Sequence, residues 1–254
     1  MATVRLADYR PAPCLIERTE LCVQLYADQT LVEAELSLVP NPLGTPGPVD
    51  LLGEQLELLG LWIDGEALAP QGYRLADGCL RLLEPPSGPF RLRTRVRLHP
   101  ESNTSLEGLY VSGGLFTTQR ITFHPDRPDL LSRFRVRIEA DQSTCPVLLS
   151  NGNCVETGEL SPAANTAGAA AGARHYAIWD DPFPKPSYLF ALVAGRLDEV
   201  RDVFTTASGR PVQLRLHVEP GDQPYTAHAM ASLKRSMAWD GRRYGLEYDL
   251  DEFN

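Results

Sequence analysis

Apolar and polar residues alternate along most of the first ~200 residues, and turn-forming residues interrupt the alternation at short intervals. In CLIERTELCVQLYADQTLVEAELSLVP, the residues Val23, Leu25, Val32, Ala34, Leu36 and Leu38 fall at every second position around Ala27-Asp28-Gln29. A period of two puts them on one face of extended backbone, so the segment predicts two strands around a tight turn. LELLGLWIDGEAL predicts a further strand closed by Asp64-Gly65, a pair that tolerates positive φ. CLRLLEPPSGPFRLRTRVRLHP predicts a third hairpin-like pair, interrupted by Pro85, Pro86 and Pro89. RFRVRIEAD reads as a strand, and CPVLLSNGNCVETGEL as two strands joined by a two-residue connection at Asn151-Gly152. HYAIWDD returns as a strand.

The stretch DPFPKPSYLFALVAG, Asp181 to Gly195, departs from this rhythm. Each of Pro182, Pro184 and Pro186 fixes φ, removes an amide donor and pushes the preceding residue toward extended geometry. The segment therefore predicts a stiff extended arm. YLFALVAG is too apolar for one wet face and is expected as a strand buried between two layers or two domains, which fits a domain junction. Just before it, SPAANTAGAAAGARHY is built of small residues and reads as an exposed flexible loop. Beyond Gly195 the pattern gives a strand, a Ser208-Gly209 turn and a strand. One convincing helix begins near Gln223, with Pro224 in its first turn, a stripe of Ala229, Met230, Leu233, Met237 and Tyr244, and Gly245 as its stop. LEYDLDEFN begins another strand. The expected class is mainly β.

Composition narrows the function more than the fold. Hydrophobic residues make up 43% of 254, enough for a sizeable core. The net charge of -9 argues against a nucleic-acid partner, since phosphate binding needs lysine and arginine in excess. No run approaches the ~20 apolar residues of a membrane helix, and the start lacks the basic-then-apolar order of a signal peptide. The expectation is a soluble, cytoplasmic chain without a membrane partner. Cys14, Cys22, Cys79, Cys145 and Cys154 are odd in number and loosely spaced, which reads as small buried hydrophobes in a reducing compartment. In RLRTRVRL, Arg91, Arg93, Arg95 and Arg97 share one strand face. A row of arginines can bind phosphate, but the better reading is the wet face of an antiparallel sheet with acids opposite.

Sites that carry hydrolytic chemistry are missing by residue type. A zinc hydrolase needs two histidines on one helix face, usually HExxH. His99, His124, His175, His217 and His228 contain no pair four residues apart. No GxSxG, GxGxxG or GxxxxGK[ST] occurs. Residue chemistry alone gives a β-rich scaffold without a complete active site.

Several segments together resemble the aminopeptidase N family, the zinc-dependent metallo-aminopeptidases of bacterial type. They are DYRPAPCLIERTELCVQLYADQT, SNTSLEGLYVSGGLFTTQ, DRPDLLSRFRVRIEAD, LLSNGN, DPFPKPSYLFALVAG and SLKRSMAWDGRRYGLEYDLD, in order along nearly the whole chain. The resemblance implies an N-terminal antiparallel β-sandwich-like domain over residues 1–197, followed at 198–254 by the first strands and one helix of a thermolysin-like catalytic domain. It implies that the β domain closes over one side of the active site, and that the proline arm is the last rigid entry before a crossover near Gly195 to Val203. In that family HExxH and a further glutamate hold zinc, the motif glutamate activates water to remove N-terminal amino acids from peptides, and a GAMEN segment binds the substrate's backbone and amino end. None of these segments is in this sequence. The resemblance therefore implies no catalytic residue and no metal ligand here, no zinc expected to bind this chain, and no activity alone. Gln119 is the one residue carried over as substrate-contacting. Relatives are expected to hold a short insertion after it, with a glutamate that anchors the substrate's amino group, and more apolar residues between YDLD and FN. The implied partners are a peptide substrate in the full-length family and a catalytic portion. Two alternatives stay open: a stand-alone β-sheet binding module that associates with a separate catalytic portion, and an independent enzyme using carboxylates that sequence cannot pair.

Overall fold

In β1 (Cys14–Leu25) burial alternates except at a register shift between Ile16 and Arg18, and in β2 (Thr30–Pro40) it alternates from Val32 onward. A computed structural model describes residues 5–103, 108–112, 115–118, 121–160 and 173–254. The chain continues through β3 (Val49–Leu52), β4 (Glu57–Ile63), β5 (Glu66–Ala67), β6 (Tyr73–Ala76), β7 (Cys79–Leu82) and β8 (Phe90–Leu98). Then come β9 (Tyr110–Ser112), β10 (Leu115–Thr118), β11 (Ser132–Asp141), β12 (Val147–Ser150), β13 (Asn153–Glu159), β14 (Arg174–Lys185) and β15 (Leu192–Gly195). The last part holds β16 (Asp198–Thr205), β17 (Pro211–Val218), α1 (Ala227–Tyr244) and β18 (Glu252–Phe253). The fold is mainly β.

The described strands form four sheets, ordered β13-β14-β11-β1-β2-β8-β4-β5, β12-β15-β10-β9, β16-β17-β18 and β3-β7-β6. In the largest, β1 pairs antiparallel with β2 and parallel with β11. Its inner face carries Leu21, Val23, Val32, Leu36, Leu92, Val96, Val136 and Ile138, all almost fully buried. Each contributes about 1.5–3 kcal/mol by leaving water. One continuous core joins this sheet to the β3 and β15 sheets. Trp179 of β14 fastens two of them, donating its indole N–H to the Leu148 carbonyl of β12 at 3.1 Å.

The arginine row of β8 lies on the outer face. Arg91 meets Glu35 at 3.2 Å, Arg93 meets Glu33 at 3.8 Å, and Arg97 meets Glu57 at 3.1 Å. These acids belong to the flanking strands β2 and β4, so the row is the polar face of a sheet, with Arg93 also stacked on Trp62 at 4.5 Å.

Three expectations are corrected. First, β7 and β8 do not pair. The prolines between them move the chain from the β3-β7-β6 sheet to the large one. Second, Asn151-Gly152 is no hairpin connection, because β12 pairs with β15 while β13 pairs with β14. Asn151 instead accepts the Ala191 N–H at 2.7 Å and donates to the Leu189 carbonyl at 3.2 Å, while Gly152 (φ +91°) lets the backbone pass Asp180, whose carbonyl oxygen would lie 2.3 Å from any Cβ there. Third, the apolar segment after the prolines is not one doubly buried strand. Ser187–Leu189 forms a 3-10 turn with Tyr188 and Leu189 exposed, and only Leu192–Gly195 is strand, central in its sheet between β12 and β10. Pro182 and Pro184 extend β14, and the buried Asp181 pairs with Lys185 across them. The alanine-rich stretch at 161–172 lies outside the described residues.

The second, smaller core is built from Val212, Leu214 and Met230, with Val200, Phe204, Leu216, Leu233, Met237, Tyr248 and Phe253 packed around it. Pro224 sits in a 3-10 turn before α1, and Gly245 ends the helix in the left-handed region, donating its N–H to Gly241. Ala229 and Tyr244 fall off the buried stripe and face solvent. β18 ties the smaller core to the larger sheet: Glu252 accepts the Cys154 N–H at 2.6 Å and lies 3.2 Å from Arg215, and the Asp251 N–H donates to Asn153 at 2.9 Å.

The disparity of the two cores sets local stability. Amides of β17 and α1 are expected to exchange with deuterium well before those of β1, β2, β8 and β11, a difference read by hydrogen-exchange mass spectrometry. Equal protection would mean that the β18 tie, rather than core size, controls opening.

Candidate functional site

The segment Ile121–His124 is buried at every position, so both of its faces meet protein. His124 bridges to Leu52, each donating its N–H to the other's carbonyl, at 2.9 and 3.1 Å. Its ring lies between elements. Nδ1 is 3.0 Å from the Pro125 carbonyl, which can only accept, so Nδ1 carries the proton. Nε2 then accepts from the Thr19 hydroxyl at 3.3 Å, and Thr19 accepts from Ser132 at 2.8 Å. The ring also stacks on Phe134, which stacks on Phe190, with centroids 6.2 and 5.8 Å apart. Burial pushes the His124 imidazole down to about 4, with the Pro125 carbonyl and the Asp126 charge opposing that shift in part.

Beside this stack opens a cavity of about 420 Å³. Leu21, Leu98, Leu109, Ile121, Phe134 and Phe190 give it apolar walls, and Glu54, His99, Asn103 and Asp126 give it a polar edge. Thr122, on the wall, is within 3.2 Å of Thr94. The arrangement suits a small amphipathic group, with carboxylates at one side and hydrocarbon at the other.

It does not make a nucleophile. Thr19 and Ser132 have no solvent exposure. The imidazole behind them is too weak a base at neutral pH, and its Nδ1 faces a carbonyl rather than an orienting carboxylate. Nor do the histidines converge on a metal. Among the described residues no group of three or more His, Cys, Asp or Glu side chains could hold an ion. His99 bonds to the Asp28 carbonyl, His175 to the Cys145 carbonyl, His217 to Asn254 and His228 to Ser232. The donor set needed for zinc does not fit these residues.

Gln119, the substrate-contacting residue implied by resemblance, lies outside the described residues. Ile121 and Thr122, two and three positions later, line the cavity. The buried Thr19–Ser132–His124 network has no signature in the sequence, because Thr19 stands more than 100 residues from the other two.

No protein-family model matches the chain. The aminopeptidase N of Caulobacter vibrioides is 50% identical over 257 residues, covering 98% of this chain and 28% of that protein. The chain is similar to the N-terminal portion of aminopeptidase N. The Escherichia coli aminopeptidase N is 43% identical over 251 residues, covering 96% of this chain and 27% of that protein. The chain thus spans little more than a quarter of these relatives. The Caulobacter alignment is longer than the chain itself, so that relative carries residues absent here. Among solved structures, Legionella pneumophila aminopeptidase A in complex with aspartic acid superposes with a TM-score of 0.88 at 32% identity, covering 98% of this chain and 29% of that one. An M1 zinc metallopeptidase from Deinococcus radiodurans shares the fold, with a TM-score of 0.74 at 14% identity over 95% of this chain and 56% of its own. No described helix is long and apolar enough to cross a membrane.

The buried imidazole makes stability fall with acid. The unfolded ring takes a proton near 6.5 and the folded one near 4, so between these values the unfolded chain binds more protons. Stability is full above pH 6.5, declines as pH falls toward 4, and loses on the order of 3 kcal/mol there. Urea melts of the wild type and of His124→Gln at pH 7 and pH 4.5 check this, since the variant should lose most of the difference. His217 is shifted in the same direction and remains in both proteins. An unchanged pH difference in the variant would move the effect elsewhere.

Proposed function

We propose that this chain forms the N-terminal β portion of a zinc-dependent aminopeptidase and shelters one side of a peptide-binding cleft whose metal ligands lie in a catalytic portion. The observation that carries this reading is the 50% identity over 98% of the chain, confined to 28% of an aminopeptidase N. The TM-score of 0.88 against an aminopeptidase A supports it independently. In this reading the chain alone is silent, because its described residues offer no metal-holding group. Residues 1–197 form the β domain and 198–254 the start of the catalytic domain. The two hydrophobic cores support that division, the larger reaching no further than Ala194 and the smaller drawing on Val200 onward. Gln119 contacts the substrate near its amino end, a role supported by the position of Ile121 and Thr122 on the cavity wall. The compartment is the cytoplasm.

A catalytic portion also gives a partner to the apolar surface at the end of the chain. Trp239, Tyr244 and Leu246 are exposed there, half to two-thirds of each, and Val203 of β16 is exposed as well. That surface favours the same association when the two portions are separate polypeptides.

Co-expression of this chain with the remainder of the Caulobacter aminopeptidase N, assayed on L-alanine p-nitroanilide, tests the reading. The expected outcome is no turnover by the chain alone and turnover by the co-purified pair above that of either part. In the pair, Gln119→Ala should lower kcat/KM roughly tenfold, about 1.4 kcal/mol of lost interaction. Turnover by the chain alone, or a pair that forms without gaining activity, would overturn it.

A further inference from the structure

A second cavity, of about 370 Å³, lies at the seam between the large sheet and the β16-β17-β18 sheet. Leu148, Ala177 and Trp179 form its apolar side. Glu159, Glu199 and His217 form its polar side, with Arg215 beside them. The His217 side chain is 8% exposed. Its Nε2 lies 3.2 Å from the Asn254 side-chain oxygen, which can only accept, so Nε2 carries the proton and Nδ1 holds the lone pair. That Nδ1 is buried and has no hydrogen-bond partner. Burial foremost, aided by the positive charges of Arg215 and Arg201, holds the ring's proton affinity down and keeps that lone pair free.

A buried acceptor needs a donor. The cation that lines the cavity, Arg215, is committed to Glu252 at 3.2 Å; Glu199 is paired with Arg201 and lies 3.9 Å from His217 Nε2, and Glu159 adds negative charge to the same walls. An anion therefore finds acceptors and acids, whereas a positively charged donor finds both a lone pair and compensating charge. We propose that this seam binds a small organic ammonium ion, whose N–H donates to His217 Nδ1, whose charge is offset by Glu159 and, behind it, by the Arg201-paired Glu199, and whose short carbon chain lies on Leu148, Ala177 and Trp179. The bound ion would join β14 of the large sheet to β17 of the small one, so ligand and seam stabilise each other.

The probes are n-butylammonium, n-butyrate and n-butanol, added to the whole chain while long-range ¹H–¹⁵N spectra follow the histidine rings. Butylammonium is expected to move the His217 Nδ1 resonance with saturation and leave His124 unmoved, while butyrate does nothing. Replacing both acids, Glu159→Gln and Glu199→Gln, should weaken butylammonium roughly tenfold, with the unmoved His124 signals showing that the fold is kept. A flat His217 response to butylammonium would overturn the proposal. So would equal responses to all three probes, or a butanol response as strong as that to butylammonium, because charge would then play no part.

Discussion

A neutral imidazole held in the core fixes how the sheets of this protein meet. His124 is tied through hydrogen bonds to Thr19 on β1 and to Leu52 at the end of β3, and through ring stacking to Phe134 on β11 and Phe190 beyond the proline arm. The ring supplies a donor, an acceptor and a flat aromatic face together. The ring can do this only while uncharged, because a buried cation with a carbonyl on one side and a hydroxyl on the other would be poorly compensated. The proline arm then acquires a clear role. Prolines 182, 184 and 186 carry β14 straight to a turn from which Phe190 enters the stack, and the Asp181–Lys185 pair fixes that path.

The same constraint places the cavity. The His124–Phe134–Phe190 stack forms one part of its wall, and Glu54, Gln55, His99, Asn103 and Leu109 from the segments between strands form another. In the proposed reading, Glu54 and Asp126 on its lining would face the amino end of a peptide. In that reading the chain is the shelter, and the bond-breaking chemistry lies in the part of aminopeptidase N that it does not cover.

Most strands were legible because burial on one face imposes a period of two, which β8 shows throughout and β1, β2 and β11 show over most of their length. Pairing was less legible. Asn151-Gly152 and Asp64-Gly65 are both good turn sequences, yet one closes a hairpin and the other moves the chain between sheets, and what separates them is the reach of the Asn151 side chain to a segment 40 residues away. Asp77-Gly78, with both residues at positive φ between β6 and β7, was a hairpin signal that passed unread. The parallel β1–β11 pair has no local signature at all. As for the site, the resemblance pointed to Gln119, but the histidine that organises the cavity looked like any other, since Thr19 and Ser132 are more than 100 residues from each other.

The scaffold is present, and among the described residues no set of side chains that would grip a metal is. The most direct measurement is the zinc content of the purified chain after dialysis against excess zinc and then buffer, by mass spectrometry of the metal. The account predicts far less than one zinc per chain and an unchanged melting temperature on adding EDTA. One zinc per chain, retained through dialysis and lost with a fall in melting temperature on chelation, would contradict it.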